Sequence, residues 1–341
     1  MRRVHKKIPS FDEHSSKLID QLESSGHYGT AQTYLKTRRS FIRFLNEYKL
    51  DSKIQMSDIS AILIDSYNQY LRDRGLVRNT ISFYNRVLRA MYNKAVYEYG
   101  MDDRHPFDHV YTGIDKTTSR AISERSIASM LSMDTRKNYS LTLSRDLFMF
   151  SYVMRGMPFV DMVYLKRSQI NGSCITYTRR KTGATLRVRI EGEAARIISK
   201  YRVMYPKSEY LFPILERQDD TRLCCSDRKH YSRYCSALSL YNRNLKKLSS
   251  MAGIHERVSS YVARHSWASA ARNIGSGMSV ISAALGHNSE HTTRIYLSNL
   301  DSTLIDHANN KLVIRLRKYA SNQKGQMLQM PVVSMKETSR R

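Results

Sequence analysis

Hydrophobic positions recur at helical spacing through most of the chain. Between residues 11 and 102 they predict four helices: Phe11 to Glu23, Thr30 to Tyr48, Ser57 to Arg74 and Asn79 to Tyr99. In the second, Tyr34, Phe41, Phe44 and Leu45 share one face, while Lys36, Arg38, Arg39 and Arg43 take another. Ser57 is a candidate N-cap, and Gly75 and Gly100 are stops. The fourth helix carries Thr80, Ser82, Asn85, Arg86 and Arg89 on its polar side. Faces of this kind suit the backbone and groove of duplex DNA, although a run of charge by itself is most often a solvated face.

Periodicity lapses over residues 103 to 120, where Pro106 and Gly113 fall among polar residues. Long helical patterns on both sides favour a linker over a loop within one domain. Beyond Ala121 helical spacing returns, at Ser123 to Leu131 with Ser123 as cap, and in the apolar stretch Ser144 to Met154. The period then changes. Ser173 to Arg179 and Thr185 to Ile190 alternate and are rich in β-branched residues, around a turn holding Lys181-Thr182-Gly183, which predicts a hairpin. Arg179, Arg180, Lys181, Arg187 and Arg189 lie on or near it, and a two-stranded ribbon is able to enter a DNA groove. Helices resume at Glu193 to Tyr201 and Ser226 to Met251, the latter with Lys229 and Arg233 among its basic residues. The class is mainly α: an N-terminal helical domain over 1–105, a linker over 106–120, an α-rich domain with a small β-hairpin or sheet over 121–320, and a basic tail over 321–341 predicted disordered.

Charge narrows the partner. The 341 residues carry 56 Lys plus Arg against 30 Asp plus Glu, a formal net charge of +26 spread along the chain. A long polyanion is the natural counterpart. The four cysteines form no CxxC pair, so no zinc motif and no metal site is expected. The basic start has no apolar core of a signal peptide, and no apolar run reaches the ~18–20 residues of a membrane span. A cytoplasmic, nucleoid-associated protein with no membrane contact is expected.

Candidate chemistry gathers between Val258 and Leu297, which reads as three short helices broken at Gly275, Gly277 and Gly286. Arg264, His265, His287, Arg294 and Tyr296 fall in this one unit, and from Met251 to Leu300 the acids are only Glu256 and Glu290. A cationic site with a phenol suits a phosphodiester. Arginine offers a planar fork of donors to phosphate, and a tyrosine hydroxyl is able to form a covalent intermediate. By themselves, Trp267 reads as a core residue, His265 as structural, and Tyr296 as one of 23 tyrosines on an ordinary amphipathic helix.

Leu285-Gly286-His287 followed nine residues later by Tyr296 resembles the C-terminal signature of the tyrosine recombinase (phage integrase) family. Arg264-His265, with Trp267 and Ala268 after it, resembles that family's H-x-x-R-H box. The resemblance implies Tyr296 as nucleophile, Arg264 and His287 as phosphate ligands, and Lys181 in the hairpin turn as general acid. Tyr261 stands where the first histidine of the box is expected, and Pro158 where the T-G-L-R-x-x-E motif has its arginine. Arg155, three residues earlier, is the candidate replacement, and Asp161 matches the motif's acid. These departures resemble the Bacteroides-type invertase and conjugative-element integrase branch.

The resemblance further implies an N-terminal SAM-like core-binding domain, with no arm-site domain ahead of it. It implies strand exchange without cofactor or ATP, and a homo-tetramer on double-stranded DNA with inverted-repeat sites. Assembly would run through the C-terminal helix predicted over Asp301 to Tyr319. DNA inversion is the favoured use. Integration or excision of a mobile element, and a DNA-binding regulator with weak catalysis, are the alternatives. Expected DNA contacts are Arg38, Arg39, Arg43, Arg86, Arg89, Arg179, Arg180, Arg187, Lys229 and Arg233.

Overall fold

Ser10 opens the first helix. Its hydroxyl accepts the Glu13 N–H at 3.3 Å, and the Glu13 carboxylate accepts the Ser10 N–H at 2.9 Å, so two donors left over at a helix start are satisfied. The computed structural model describes residues 7–51, 53–115, 120–215, 227–287, 289 and 293. Apart from Thr293, the segments predicted as helix at His291 to Leu297 and Asp301 to Tyr319, and the tail, lie outside the described residues.

Four helices form the first unit: α1 (Phe11–Ser24), α2 (Tyr28–Glu47), α3 (Ala61–Asp73) and α4 (Arg78–Tyr99). Their apolar faces meet in one core, where Phe11, Phe41, Phe44, Tyr67 and Met91 are fully buried. The cap of α3 is Ser60, whose hydroxyl accepts the Leu63 N–H at 3.3 Å. Ser57 sits instead in a short 3-10 turn, because Met56 and Ile59 both turn into the core and delay the helix. α4 ends at Gly100, in the left-handed conformation at φ +64°.

The stretch expected as linker begins inside this core, with Phe107 buried. Residues 111–115 then lie along the polar side of α4. Asn79 donates to the Asp115 carbonyl at 3.1 Å and accepts the Asp115 N–H at 2.7 Å. Ser82 donates to the Gly113 carbonyl, Asn85 to the Tyr111 carbonyl, and Arg89 to the Thr112 hydroxyl. The Arg78 guanidinium lies 3.8 Å from the Tyr111 ring centre. Ser82 and Asn85, expected on a DNA-facing side, are therefore buried and occupied within the protein.

The second unit is helical around a small sheet. It comprises α5 (Glu124–Ser132), α6 (Tyr139–Val153), α7 (Phe159–Val163), β1 (Ile170–Asn171), β2 (Cys174–Thr178), β3 (Thr185–Arg189), α8 (Gly192–Met204), α9 (Asp227–Met251), α10 (Val262–Asn273) and α11 (Met278–Leu285). Ser123 caps α5 as expected, its hydroxyl accepting the Ser126 N–H at 3.0 Å. α6 starts before Ser144 because Asn138 caps it, accepting the Leu141 N–H at 3.1 Å. The sheet is antiparallel in the order β1-β2-β3, with β2 and β3 paired from Cys174 opposite Arg189 to Thr178 opposite Thr185. Helix α6 lies at the centre of the second core, its Phe148 and Phe150 in one cluster with Tyr201, Phe212 and Tyr241. The two units meet where Tyr28 of α2 stacks on Tyr231 of α9, ring centres 5.5 Å apart. Among the described residues no helix is long and apolar enough to cross a membrane.

Asn85 is fully buried and donates to both Asn68 and the Tyr111 carbonyl. Asn85→Leu is expected to lower unfolding free energy by about 1–3 kcal/mol, since it strands those two acceptors. It is also expected to expose the Tyr111 peptide bond. Denaturant unfolding and limited chymotrypsin digestion measure the two effects.

Candidate active site

Arg264 is 1% exposed, the third residue of α10. Its neighbours Val262 and Ala263 anchor that turn in the second core. The guanidinium reaches the opposite way, into a pocket of carbonyl oxygens. Nη1 donates to the Gly156 carbonyl at 2.9 Å and Nη2 to the Leu285 carbonyl at 2.5 Å. Gly156 is required for this approach. It sits at φ +68°, and a Cβ there would lie 2.8 Å from the Cα and Cγ of Arg264. The turn holding Gly156 is built on buried Ser151, whose carbonyl accepts the Gly156 and Met157 N–H groups and whose hydroxyl donates to the Met157 carbonyl.

His287 follows the left-handed Gly286 that ends α11. Its Nε2 lies 3.0 Å from Arg264 Nη2, and its Nδ1 lies 2.8 Å from the Thr293 hydroxyl. A guanidinium only donates, so Nε2 accepts and Nδ1 carries the proton, donating to Thr293. Burial, then the positive charges of Arg264, Arg179 and Lys181, push the imidazole down to about 4. His287 is thus neutral at ordinary pH. His265, also pushed down to about 4 by burial and by Arg120 and Arg264, packs its ring against Tyr261 at 5.8 Å.

The turn between β2 and β3 brings Lys181 to the same place. Thr182 on that turn donates to the Gly286 carbonyl at 3.1 Å. Arg179, expected as a DNA contact, is 3% exposed and donates through Nη1 to the Leu285 and Gly286 carbonyls at 2.8 and 2.9 Å. Its guanidinium therefore faces the end of α11 and presents no surface to a groove. Asp161 of α7 is also buried. It accepts the Arg180 N–H at 3.0 Å, and its other oxygen lies 3.6 Å from Arg179 Nε. Burial pushes this carboxyl up, while the N–H and the nearby arginines pull it down. The hydroxyl partners Thr182 and Thr293 were not among the expected site residues. Their only signal in the sequence is position, Thr182 next to Lys181 and Thr293 between His287 and Tyr296.

The remaining expected residues divide. Tyr261 stands at the N-cap of α10, one turn before Arg264. Arg155 has left-handed backbone, φ +58°, and lines a groove with Tyr152, Glu193, Trp267 and Ala284 whose lining includes neither Arg264 nor His287. Pro158, in the slot where an arginine was sought, is the N-cap of α7. Tyr296 and Arg294 lie outside the described residues. Arg39 and Arg43 are exposed on α2, while Arg38 is engaged by Asp12 at 2.5 Å. Arg180, Arg187, Lys229 and Arg89 are exposed, and Arg86 is half-buried. Arg233, half-buried, donates to the Leu215 carbonyl at 2.8 Å. Trp267 packs in a satellite core with Ala268, Ala271, Ile281 and Leu285, as expected of a core residue. Among the described residues no three His, Cys, Asp or Glu side chains come together.

Two buried arginines, a neutral histidine and an exposed lysine thus converge on the end of α11. Residues 122–303 match the Phage integrase family, and residues 10–112 match the Phage integrase SAM-like domain. The chain belongs to the phage integrase family. It is a tyrosine recombinase, with a SAM-like core-binding domain ahead of a catalytic domain that holds a small three-stranded sheet. Solved structures with this fold include a lambda integrase dimer bound to a COC′ core site, at 15% identity over 84% of this chain and 77% of that one, TM-score 0.60. Another is the Tn1549 transposon integrase in complex with transposon right end DNA, at 12% identity, 89% and 99% coverage and TM-score 0.61. The XerH site-specific recombinase bound to difH substrate aligns at 15% identity, 90% and 91% coverage and TM-score 0.58. No curated protein matches the chain in sequence.

Two outcomes are expected from this geometry. Gly156→Ala should destabilise the recombinase by about 1–3 kcal/mol, because a left-handed residue gains a side chain against Arg264; chemical denaturation measures it. Unfolded histidine binds a proton near pH 6.5, whereas folded His265 and His287 resist it to about pH 4. Their contribution to stability is therefore present above pH 6.5 and lost as pH falls toward 4. Thermal melts across that window should show a falling Tm, with a shallower slope in His265→Gln.

Proposed function

We propose that this recombinase cleaves and rejoins DNA through Tyr296, and that its biological use is inversion of a DNA segment. The Tyr296 hydroxyl oxygen attacks the scissile phosphorus and gives up its proton to solvent. The bond from phosphorus to the 5′ oxygen breaks, and that oxygen takes a proton from the Lys181 ammonium. The products are a 3′-phosphotyrosyl link and a free 5′ hydroxyl. A 5′ hydroxyl from a partner strand reverses the step and joins the exchanged strands. The phosphotyrosine conserves the bond, so neither ATP nor a metal enters the balance.

The observation that carries this reading is the 3.0 Å contact between Arg264 and His287, made at the helix end to which the Lys181 turn is also bound. Fixed cations there meet charge growing on the phosphoryl oxygens. Arg155 and Tyr261 are assigned supporting contacts to the phosphate. Arg39, Arg43, Arg180, Arg187 and Lys229 supply an exposed basic surface for the duplex backbone. The departures at Pro158 and Tyr261 support assigning the chain to the Bacteroides-type invertase and conjugative-element integrase branch. The assembly is a tetramer on DNA with inverted-repeat sites, joined through the C-terminal segment. Lambda integrase forms a tetramer bound to a Holliday junction, which supports the same assembly here. Proline in place of the motif's arginine favours a second reading, a DNA-binding regulator with little strand cleavage.

Nicked suicide duplexes tiled through the DNA flanking the gene, incubated with chelator, decide between them. Wild type is expected to give a covalent protein–DNA adduct that Tyr296→Phe abolishes, and Arg264→Ala should slow adduct formation about 10²–10³-fold. Specific binding without adduct on every nicked substrate establishes the regulator. A plasmid carrying two inverted sites then reports inversion, and a pair of plasmids reports integration.

A further inference from the structure

We propose that Arg179 is a positioning residue for Lys181: it fastens the β2–β3 turn to the end of α11 and so fixes the lysine against the Arg264–His287 pair. The inference rests on the recombinase reading above and assigns a task to an arginine enclosed within the protein.

A hairpin turn is a poor platform for a proton donor. Lys181 is exposed, and the turn closes only at its base, through Gly183 N–H to the Arg179 carbonyl and Arg179 N–H to the Ala184 carbonyl, with Gly183 left-handed at φ +70°. Such a tip samples many arrangements unless something holds it, and misplacement of a catalytic group by an ångström is costly. Two anchors flank Lys181. Two residues before it, Arg179 reaches the carbonyls of both Leu285 and Gly286. One residue after it, Thr182 reaches the Gly286 carbonyl again. The acceptors are carbonyls that a helix end leaves unpaired and slightly negative, a natural seat for a guanidinium. Arg264 uses the Leu285 carbonyl too, so lysine turn, arginine and histidine are referenced to one backbone segment.

Further observations fix Arg179 in this seat. Asp161 lies beside its Nε and accepts the Arg180 N–H, holding the side chain and the start of the turn together. Gly286 makes room for it: a Cβ on that residue would lie 2.7 Å from Arg179 Cδ. The glycine of the Leu285-Gly286-His287 signature is thus demanded by the arginine packed on it as well as by its own φ of +62°.

A scissile phosphate with sulfur in place of the bridging 5′ oxygen tests the proposal, because a thiolate leaves without the proton an alkoxide needs. Full-length protein is compared on oxygen and sulfur suicide duplexes by single-turnover adduct formation. Lys181→Ala is expected to slow the oxygen substrate about 10²–10⁴-fold and to recover on sulfur. Arg179→Met is expected to follow it, roughly 10–100-fold slower on oxygen, near wild type on sulfur, with unchanged DNA affinity and partial recovery in Arg179→Lys.

Equal slowing of Arg179→Met on both substrates overturns the proposal, since the arginine then serves the whole site. So does a loss of DNA affinity with an unchanged rate. Thr182→Val, which removes one hydroxyl, carries the test should Arg179→Met not fold. It is expected to be slower on oxygen alone, and equal slowing on both substrates overturns the proposal here too. If wild type gives no Tyr296-dependent adduct on either duplex, the recombinase reading itself fails and takes the proposal with it. If the adduct forms but Lys181→Ala shows no difference between oxygen and sulfur, the role of Lys181 fails instead.

Discussion

The last carbonyls of α11 are the point on which the site depends. The Leu285 oxygen accepts from two buried guanidiniums, those of Arg264 and Arg179, and the Gly286 oxygen accepts from Arg179 and Thr182. A helix C-terminus leaves its final carbonyls without intrahelical partners. Here they are met by side chains from α10 and from the β2–β3 turn, segments far apart in the chain. Hairpin, α10 and α11 are thereby locked into one unit by groups that each needed a partner anyway.

Burying two arginines is costly unless their donors are occupied. The carbonyl cluster occupies Nη1 of Arg179 and both terminal nitrogens of Arg264, and Asp161 sets a buried carboxylate 3.6 Å from Arg179 Nε. The electrostatic consequence falls on His287. Three cations and burial hold it neutral, with its Nε2 lone pair turned to Arg264 and its proton to Thr293. An incoming phosphate would reverse that field, so the site is arranged to receive negative charge.

Away from the site, the first bundle uses polar residues for internal construction. Asn79, Ser82 and Asn85 tie residues 111–115 onto α4, so the chain leaves that bundle already held along its surface. The first unit also touches the second, where its Tyr28 stacks on Tyr231.

Much of the fold was legible from local rules. Helical periodicity located most of the helices, alternation located the hairpin, Gly100 marked a boundary through its left-handed backbone, and Ser123 marked one through its capping hydroxyl. Misreadings had local causes: α6 began earlier at an Asn138 cap, and the five-residue α7 and two-residue β1 were too short for a period to show. Arg264, His287 and Lys181 were legible because their spacing belongs to a motif. Arg179 was not, since one arginine in a basic run looks like the next. Burial against a helix end 106 residues away is a property of packing, not of sequence neighbours. The sequence by itself determined the helical class, the excess of positive charge and the candidate side chains for the site, because these follow from period, charge and residue type. Only the tertiary structure decided which cations stay exposed and which are enclosed, because unpaired backbone carbonyls acquire distant partners only when the chain has folded.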